Sequence, residues 1–291
     1  MASRFDFEAI GTLWQIDIYE SLSSENEAGL FSLLKERIAV FDKAYSRFRA
    51  DSLVTQISKQ SGNYILPDDA LPMMSLYQDL YKLTDGLFTP LIGQVLVDAG
   101  YDAEYSLTKK KILQIPPKWE EVFTYSHPYL NTKIPVLLDF GACGKGYLID
   151  LVAEVLEKNN ISSYCIDAGG DILHKNNVPM RVGLENPDNE TEAIGVVTLQ
   201  NQSICGSAGN RRKWEGFHHI IDPKKLSSPT HILSVWVVAE RALLADALTT
   251  CLFFVEPKIL LDKYTFTYCI LYSDFSIAKS ANFQGEMFTK E

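Results

Sequence analysis

The chain lacks paired cysteines, long apolar runs, internal repeats and any surplus of positive charge. Its five cysteines, Cys143, Cys165, Cys205, Cys251 and Cys269, stand singly and are odd in number. That pattern disfavours a disulfide framework or a zinc site and predicts buried thiols in a reducing compartment. No window reaches the ~18 uncharged apolar residues of a spanning helix; the longest largely apolar run, 232–238, is only strand-length. No membrane insertion is expected. The start, MASRFDFEAIGTLWQIDIY, has no basic stretch, apolar core or cleavage site of a secretory leader, so a cytoplasmic location is expected. With 27 Lys and Arg against 37 Asp and Glu, the formal charge is −10. A nucleic-acid partner is disfavoured, because phosphate-tracking surfaces are broadly basic. A small anionic ligand in a locally positive site remains open.

What is present suits a globular protein. Of 291 residues 46% are hydrophobic, with 15 Phe, 14 Tyr and 4 Trp, enough apolar material to offset chain entropy. Residues 8–19 alternate around Leu13, Trp14, Ile16 and Ile18, predicting an opening strand. Ser24 with Glu27 fits a capping box, and Leu30, Leu33, Leu34, Ile38 and Phe41 give a helix over about 26–44. Residues 45–63 read as polar turns, Pro67 to Lys82 as a second helix leaving at Gly86, and 100–135 as an irregular connection and possible sub-domain boundary. From Val136 the pattern predicts a buried strand VLLDF, a glycine turn, and a helix with Leu148, Ile149, Val152, Val155 and Leu156 inside. Strands follow at MRVGLENP, AIGVVTLQNQSICGS, FHHIIDP and HILSVWVVAE, then a helix at 242–254 and a closing strand. Helices interleaved with runs of consecutive strands predict an α+β class and disfavour a Rossmann domain.

Four segments have the residue types for chemistry. In LDFGACGKGY (138–147), Gly146 and Tyr147 follow Lys145, so the Ser or Thr of a Walker loop is missing. The segment still offers a carboxylate, a cation and a helix N-terminus suited to an anion; tight strand-to-helix packing is the alternative. IDAGGDI (166–172) brackets a double glycine with Asp167 and Asp171, which alone is an ordinary turn. GFHHIIDP (216–223) puts adjacent histidines on opposite faces of a strand, one for the core and one free to orient a ligand or move a proton. In ADALTT (245–250), Asp246 and Thr250 share a helix face as hard oxygen ligands suited to Mg²⁺. The alternative there is an aspartate in a helix's first turn and a threonine bonded to its own backbone.

Taken in order, GTLWQI, FDKAYSRFRADS, TDGLFTPLIG, LDFGACGKGYLID, IDAGGDI, GFHHIIDP and ADALTT resemble the ApbE family of FAD:protein FMN transferases from about Ile10 to Phe254. The resemblance implies an ApbE-like α+β fold with mixed and antiparallel sheets and flanking helices. It implies a single domain over 1–291, in two lobes with the nucleotide site between them. It also implies Mg²⁺-dependent cleavage of the FAD pyrophosphate, attachment of FMN through a phosphoester to a Thr or Ser of an acceptor flavoprotein, and release of AMP. An FAD pyrophosphatase giving FMN and AMP, or an FAD-binding protein without catalysis, are the alternatives. On the same basis Asp246, Thr250 and the Ala142 carbonyl are expected to hold the metal. Lys145 is expected to face phosphate, and Asp139 a polar edge of the nucleotide. His219 is the expected base, supported by Asp222. Ile10, Phe48, Leu87, Phe88, Thr89 and Ile221 are expected to border FAD, joined by Gly169, Gly170 and Asp171. The chain departs from the family pattern in three places. Lys224 to Ser228 replace an Arg-Thr-Gly stretch, Thr89 stands where Asp is usual, and Asn210 where an aromatic is common.

Overall fold

A two-residue turn shapes the beginning of the chain. Ile10 and Gly11 both take positive φ, 46° and 74°, the mirror-image turn that matches the twist of paired strands. The computed structural model describes residues 2–288. It opens with β1 (Ala2–Ala9) paired antiparallel to β2 (Thr12–Ser21). The predicted opening strand is thus the second arm of a hairpin. The first arm, SRFDFEA, alternates as well, with Arg4, Asp6 and Glu8 exposed between Phe5, Phe7 and Ala9, which face the core.

α1 (Ser24–Tyr45) is capped one residue earlier than expected, by Ser23, whose hydroxyl accepts from Asn26 N–H at 3.3 Å. Leu30, Leu34, Ile38 and Phe41 are buried, whereas Leu33 is exposed. The stretch read as turns contains α2 (Leu53–Lys59), capped by Ser52, and β3 (Gly62–Ile65). α3 (Ala70–Leu83) follows and leaves at Gly86, φ 81°. A 3₁₀ turn, Pro90–Ile92, leads into α4 (Gly93–Asp98). Irregular chain then reaches α5 (Trp119–Val122), β4 (Phe123–Ser126) and β5 (Tyr129–Thr132). The last two pair with β3 in a small sheet ordered β3-β5-β4, so the second half of the expected irregular connection is structured.

VLLDF is not a strand. Residues 136–140 have no ladder partners, yet Val136, Leu138 and Phe140 are buried. Here the apolar run reports burial rather than sheet pairing. The segment delivers the chain to α6 (Gly144–Lys158).

Next come β6 (Tyr164–Ala168), β7 (Asp171–Lys175), β8 (Met180–Asn186), β9 (Asn189–Leu199) and β10 (Gln202–Ala208). The run expected as one strand over 193–207 is two, divided at Asn201, φ 53°. β11 (Lys213–Trp214) and β12 (Phe217–His218) form a two-residue ladder. β13 (Ile232–Ala239), α7 (Ala242–Cys251), α8 (Pro257–Leu261), β14 (Thr267–Tyr272), β15 (Ile277–Lys279) and β16 (Gly285–Met287) complete the described chain.

The central sheet has eight strands in the order β1-β2-β6-β7-β10-β13-β14-β15, every neighbouring pair antiparallel. Strand alternation splits the core between its faces. From β13, Val235 and Val237 join the large cluster that includes α1, α6 and α7. Trp236 and Val238 join the second cluster, under the β16-β9-β8 sheet. A third cluster gathers α4 with Trp214, Phe217 and Ile221. All five cysteines are buried.

Candidate active site

α6 and α7 meet at their beginnings because Gly146 has no side chain. A Cβ there would lie 2.2 Å from Ala242 O and 2.6 Å from Asp246 Cβ. Each helix starts on a residue without a side-chain cap, Cys143 and Arg241. Each then caps the other. Asp246 of α7 accepts from Gly146 N–H at 2.8 Å. Asp150 of α6 accepts from Ala242 and Leu243 N–H, both at 3.0 Å, and from Arg241 Nε at 3.2 Å. These are orphan donors of first turns, which must find acceptors once buried.

The junction holds several charges in one place. Lys145 Nζ lies 2.5 Å from Asp171 Oδ2 and donates to Ala168 O at 3.2 Å. Asp171, on β7, also accepts from Gly206 N–H at 3.1 Å. Burial and the nearby Asp171 push the Asp246 carboxyl up to about 8, against the pull of Lys145 and of the Gly146 N–H. Burial works against the Lys145 charge, but Asp171 and Asp246 outweigh it and raise its pKa. A half-buried cation thus sits between two buried carboxylates beside a helix N-terminus.

The ADALTT alternatives separate cleanly. Thr249 is the back-bonded threonine: buried, donating to Asp246 O at 2.7 Å and sharing a 2.8 Å bond with Ser207. Thr250 is half-buried, and its hydroxyl has no partner among the described residues. Asp246 lies in the second turn of α7 rather than its first. Among those residues no three His, Cys, Asp or Glu side chains gather as a metal cluster. A cation here would therefore rest on one carboxylate with hydroxyl and carbonyl oxygens, a donor set that Mg²⁺ accepts. Ala142, whose carbonyl was the expected third donor, lies in the turn before α6.

The double glycine makes the β6–β7 turn, with φ 62° and 91°, and Gly170 N–H donates to Asp167 at 2.8 Å. Arg211 ties this turn to the histidines. Its Nη1 donates to Gly169 O at 3.2 Å, and its own carbonyl lies 3.2 Å from His219 Nδ1. A carbonyl only accepts, so Nδ1 carries the hydrogen and Nε2 the lone pair. Burial, Arg212 and His218 push the His219 pKa down to about 3, which keeps the ring neutral. His218 is the structural histidine. It is buried, its Nε2 bonds Pro229 O at 2.9 Å, its Nδ1 accepts from Ile220 N–H at 3.3 Å, and burial lowers its pKa.

Several expectations need correction. The strand ends at His218, so the two histidines differ by hydrogen bonding and not by opposite faces of one strand. Asp222 does not support His219; its carboxylate accepts from Lys224 and Lys225 N–H at 2.8 and 2.9 Å and closes its own turn. Phe88 is 1% exposed and stacked on Tyr77. Ile221 is 3% exposed in the third cluster. Neither side chain is available to border a ligand, because their apolar character serves the core. Thr89 is buried and caps the 3₁₀ turn through Leu91 N–H at 3.2 Å. Leu87 and Ile10 are half-buried and Phe48 is exposed. Asp139 accepts from Gly141 N–H at 2.7 Å and from Arg47 Nε.

Arg47 and Asp150 stand inside FDKAYSRFRADS and LDFGACGKGYLID but carry no expected role there, and Arg211 lies outside every motif. Asp150 carried a signal, an acid four residues after Gly146 on an otherwise apolar helix. Arg211 lay in the glycine-flanked stretch already singled out as divergent.

The fold and junction define an α+β protein whose lysine suits a phosphorylated ligand and whose hard oxygen donors suit a divalent cation. A family model described as the ApbE family matches residues 10–264; the chain belongs to that family. It is 24% identical over 278 residues to the FAD:protein FMN transferase of Escherichia coli K12, covering 86% of this chain and 78% of that one. The FAD:protein FMN transferase of Buchnera aphidicola is 25% identical over 289 residues, with 91% and 84% covered. Among solved structures, the flavin transferase ApbE of Vibrio cholerae superposes with a TM-score of 0.81 at 20% identity, covering 97% and 98% of the two chains. The ApbE protein of Thermotoga maritima gives 0.82 at 21% identity, with 98% and 99% covered. The expected α+β fold is therefore that of the solved ApbE structures.

Proposed function

We propose that the protein is an FAD:protein FMN transferase. It cleaves the FAD pyrophosphate, attaches FMN through a phosphoester to a Thr or Ser hydroxyl of an acceptor flavoprotein, and releases AMP. The observation that carries this reading is the α6–α7 junction with its Lys145–Asp171 pair and Asp246, tied through Arg211 to a neutral histidine. The Lys145 ammonium binds the diphosphate, whose charge it offsets. His219 Nε2 takes the proton of the incoming hydroxyl as its oxygen attacks the FMN-side phosphorus and the bond to the AMP phosphate breaks. A neutral imidazole with Nδ1–H fixed on Arg211 O suits this role. Asp246, the Thr250 hydroxyl and the Ala142 carbonyl would hold Mg²⁺. The raised carboxyl of Asp246 and the unpartnered Thr250 hydroxyl fit such an ion. When bound, the ion neutralises charge on the diphosphate. We further propose a cytoplasmic location.

The test is incubation with FAD, Mg²⁺ and candidate acceptor flavoproteins, followed by AMP analysis and in-gel flavin fluorescence. Labelled acceptor with stoichiometric AMP is the expected result. AMP with free FMN and no label would make water the acceptor and the protein a pyrophosphatase. FAD that binds and stays intact would leave a binding protein.

A further inference from the structure

Beside the reaction centre lies a guanidinium whose two terminal nitrogens have no hydrogen-bond partner among the described residues. Arg47 is 8% exposed, its side chain 2%. Its Nε is committed to Asp139, but Nη2 is fully buried and has no hydrogen-bond partner. A buried, unpartnered charged donor is unfavourable, so its persistence calls for a compensating role. The guanidinium carbon sits 4.1 Å from the Phe48 ring centre and 4.8 Å from that of Tyr101. Tyr105 stacks on Phe48 at 5.5 Å and 13°, and Arg212 approaches the Tyr101 ring at 5.7 Å. Two cations and three aromatic rings make a platform for a planar heterocycle whose edge carries acceptors. Tyr105 is 50% exposed and has φ 52°, so the ring covering Phe48 belongs to an irregular, strained stretch of chain that a ligand ring can displace. Asp139 links the platform to the reaction centre, since it also accepts from Gly141 N–H in the turn before Lys145 and lies close enough to act on His219.

We infer that Arg47 is a specificity residue, whose unpaired terminal nitrogens donate to the contiguous carbonyl and ring-nitrogen acceptors of the flavin's pyrimidine edge. This rests on the FAD reading above. Adenine is the poorer match, because its amino donor interrupts its acceptors. Asp139 holds the guanidinium in register through Nε and leaves both terminal nitrogens for the ligand.

The test compares wild type with Arg47→Lys and Arg47→Gln by equilibrium binding of FAD, FMN and ADP, together with kcat and KM for AMP release. Lys retains a charge for Asp139 but loses the second donor, which separates recognition from folding. Both variants should bind FAD and FMN about tenfold more weakly, as expected for losing one hydrogen bond to a charged group. ADP affinity should hold within twofold, and the loss should appear in KM more than in kcat. Equal weakening of all three ligands, weakening of ADP alone, or unchanged flavin binding by Arg47→Lys would each overturn the inference. Failure of the wild type to bind FAD would instead overturn the underlying functional reading.

Discussion

His219 and Asp246 face opposite demands. In the proposed reaction the histidine must stay neutral to accept a proton, and burial with Arg212 and His218 holds its pKa near 3. Because the folded pKa lies below the usual value near 6.5, the base form is present across the neutral range and is lost only as pH falls towards 3. The rate of AMP release should therefore show no acid limb near pH 6.5; a limb there that vanishes in His219→Gln would contradict the assignment. His219→Ala should lower transfer by at least about 100-fold, within the range for losing a general base, while FAD binding changes little; full-rate transfer would refute the role. Asp246 serves two masters, a helix N–H and the proposed ion. Asp246→Asn keeps an acceptor for Gly146 N–H but removes the charge. It should leave far-ultraviolet circular dichroism unchanged and abolish Mg²⁺-stimulated turnover, and residual stimulation above one tenth of wild type would sink the metal assignment.

Among elements, α6 and α7 form the unit on which the site depends. Gly146→Ala should push the helices apart, because the added carbon meets backbone at 2.2 Å. A cost of about 1–3 kcal/mol is expected for such overpacking, read as a lower urea midpoint, and activity should fall further than stability. Asp150→Ala strips three donors of their acceptor and should cost at least about 2 kcal/mol in the same measurement. The long amphipathic elements were legible from sequence: α1, α6, α7 and β13 appear where their apolar periods put them. The short elements were not. α2, β3, β4 and β5 are four to seven residues long, too brief for a period to rise above local polarity. VLLDF misled because complete burial looks the same whether or not a neighbouring strand pairs with it. Among site residues, Lys145, Asp171 and Asp246 lie together at the α6–α7 junction, and His219 is tied to the neighbouring β6–β7 turn through Arg211. Phe88, Ile221 and Asp222 do not join them, because their motif letters are satisfied by packing and by a local turn. Arg47 was invisible because its meaning depends on Asp139, 92 positions away.

For the molecule as a whole, the two histidines with lowered pKa values tie stability to acid. Both bind protons more readily when the chain is unfolded, so their contribution is complete above about pH 6.5 and erodes as pH drops towards 3. Thermal midpoints should be level between pH 7 and 8 and fall steadily below 6; His219→Gln should flatten that fall. The five buried thiols give an independent probe, since burial raises every one of their pKa values. A thiol reagent at pH 8 should titrate none of them in the native protein and all five in urea. Rapid native labelling of any one would mean that its part of the core opens readily.

The reciprocal capping of α6 and α7 also sets a schedule. Asp246 reaches back exactly one hundred positions to Gly146, and Asp150 forward 92 to Ala242. During synthesis, the lysine that would grip a diphosphate leaves the ribosome long before the aspartate beside it. A chain interrupted anywhere before α7 carries a helix with its first turn unanswered and no complete diphosphate site. If the proposed reaction holds, competence arrives only once α7 is in place, so incomplete chains would leave FAD intact while they wait to be finished or destroyed.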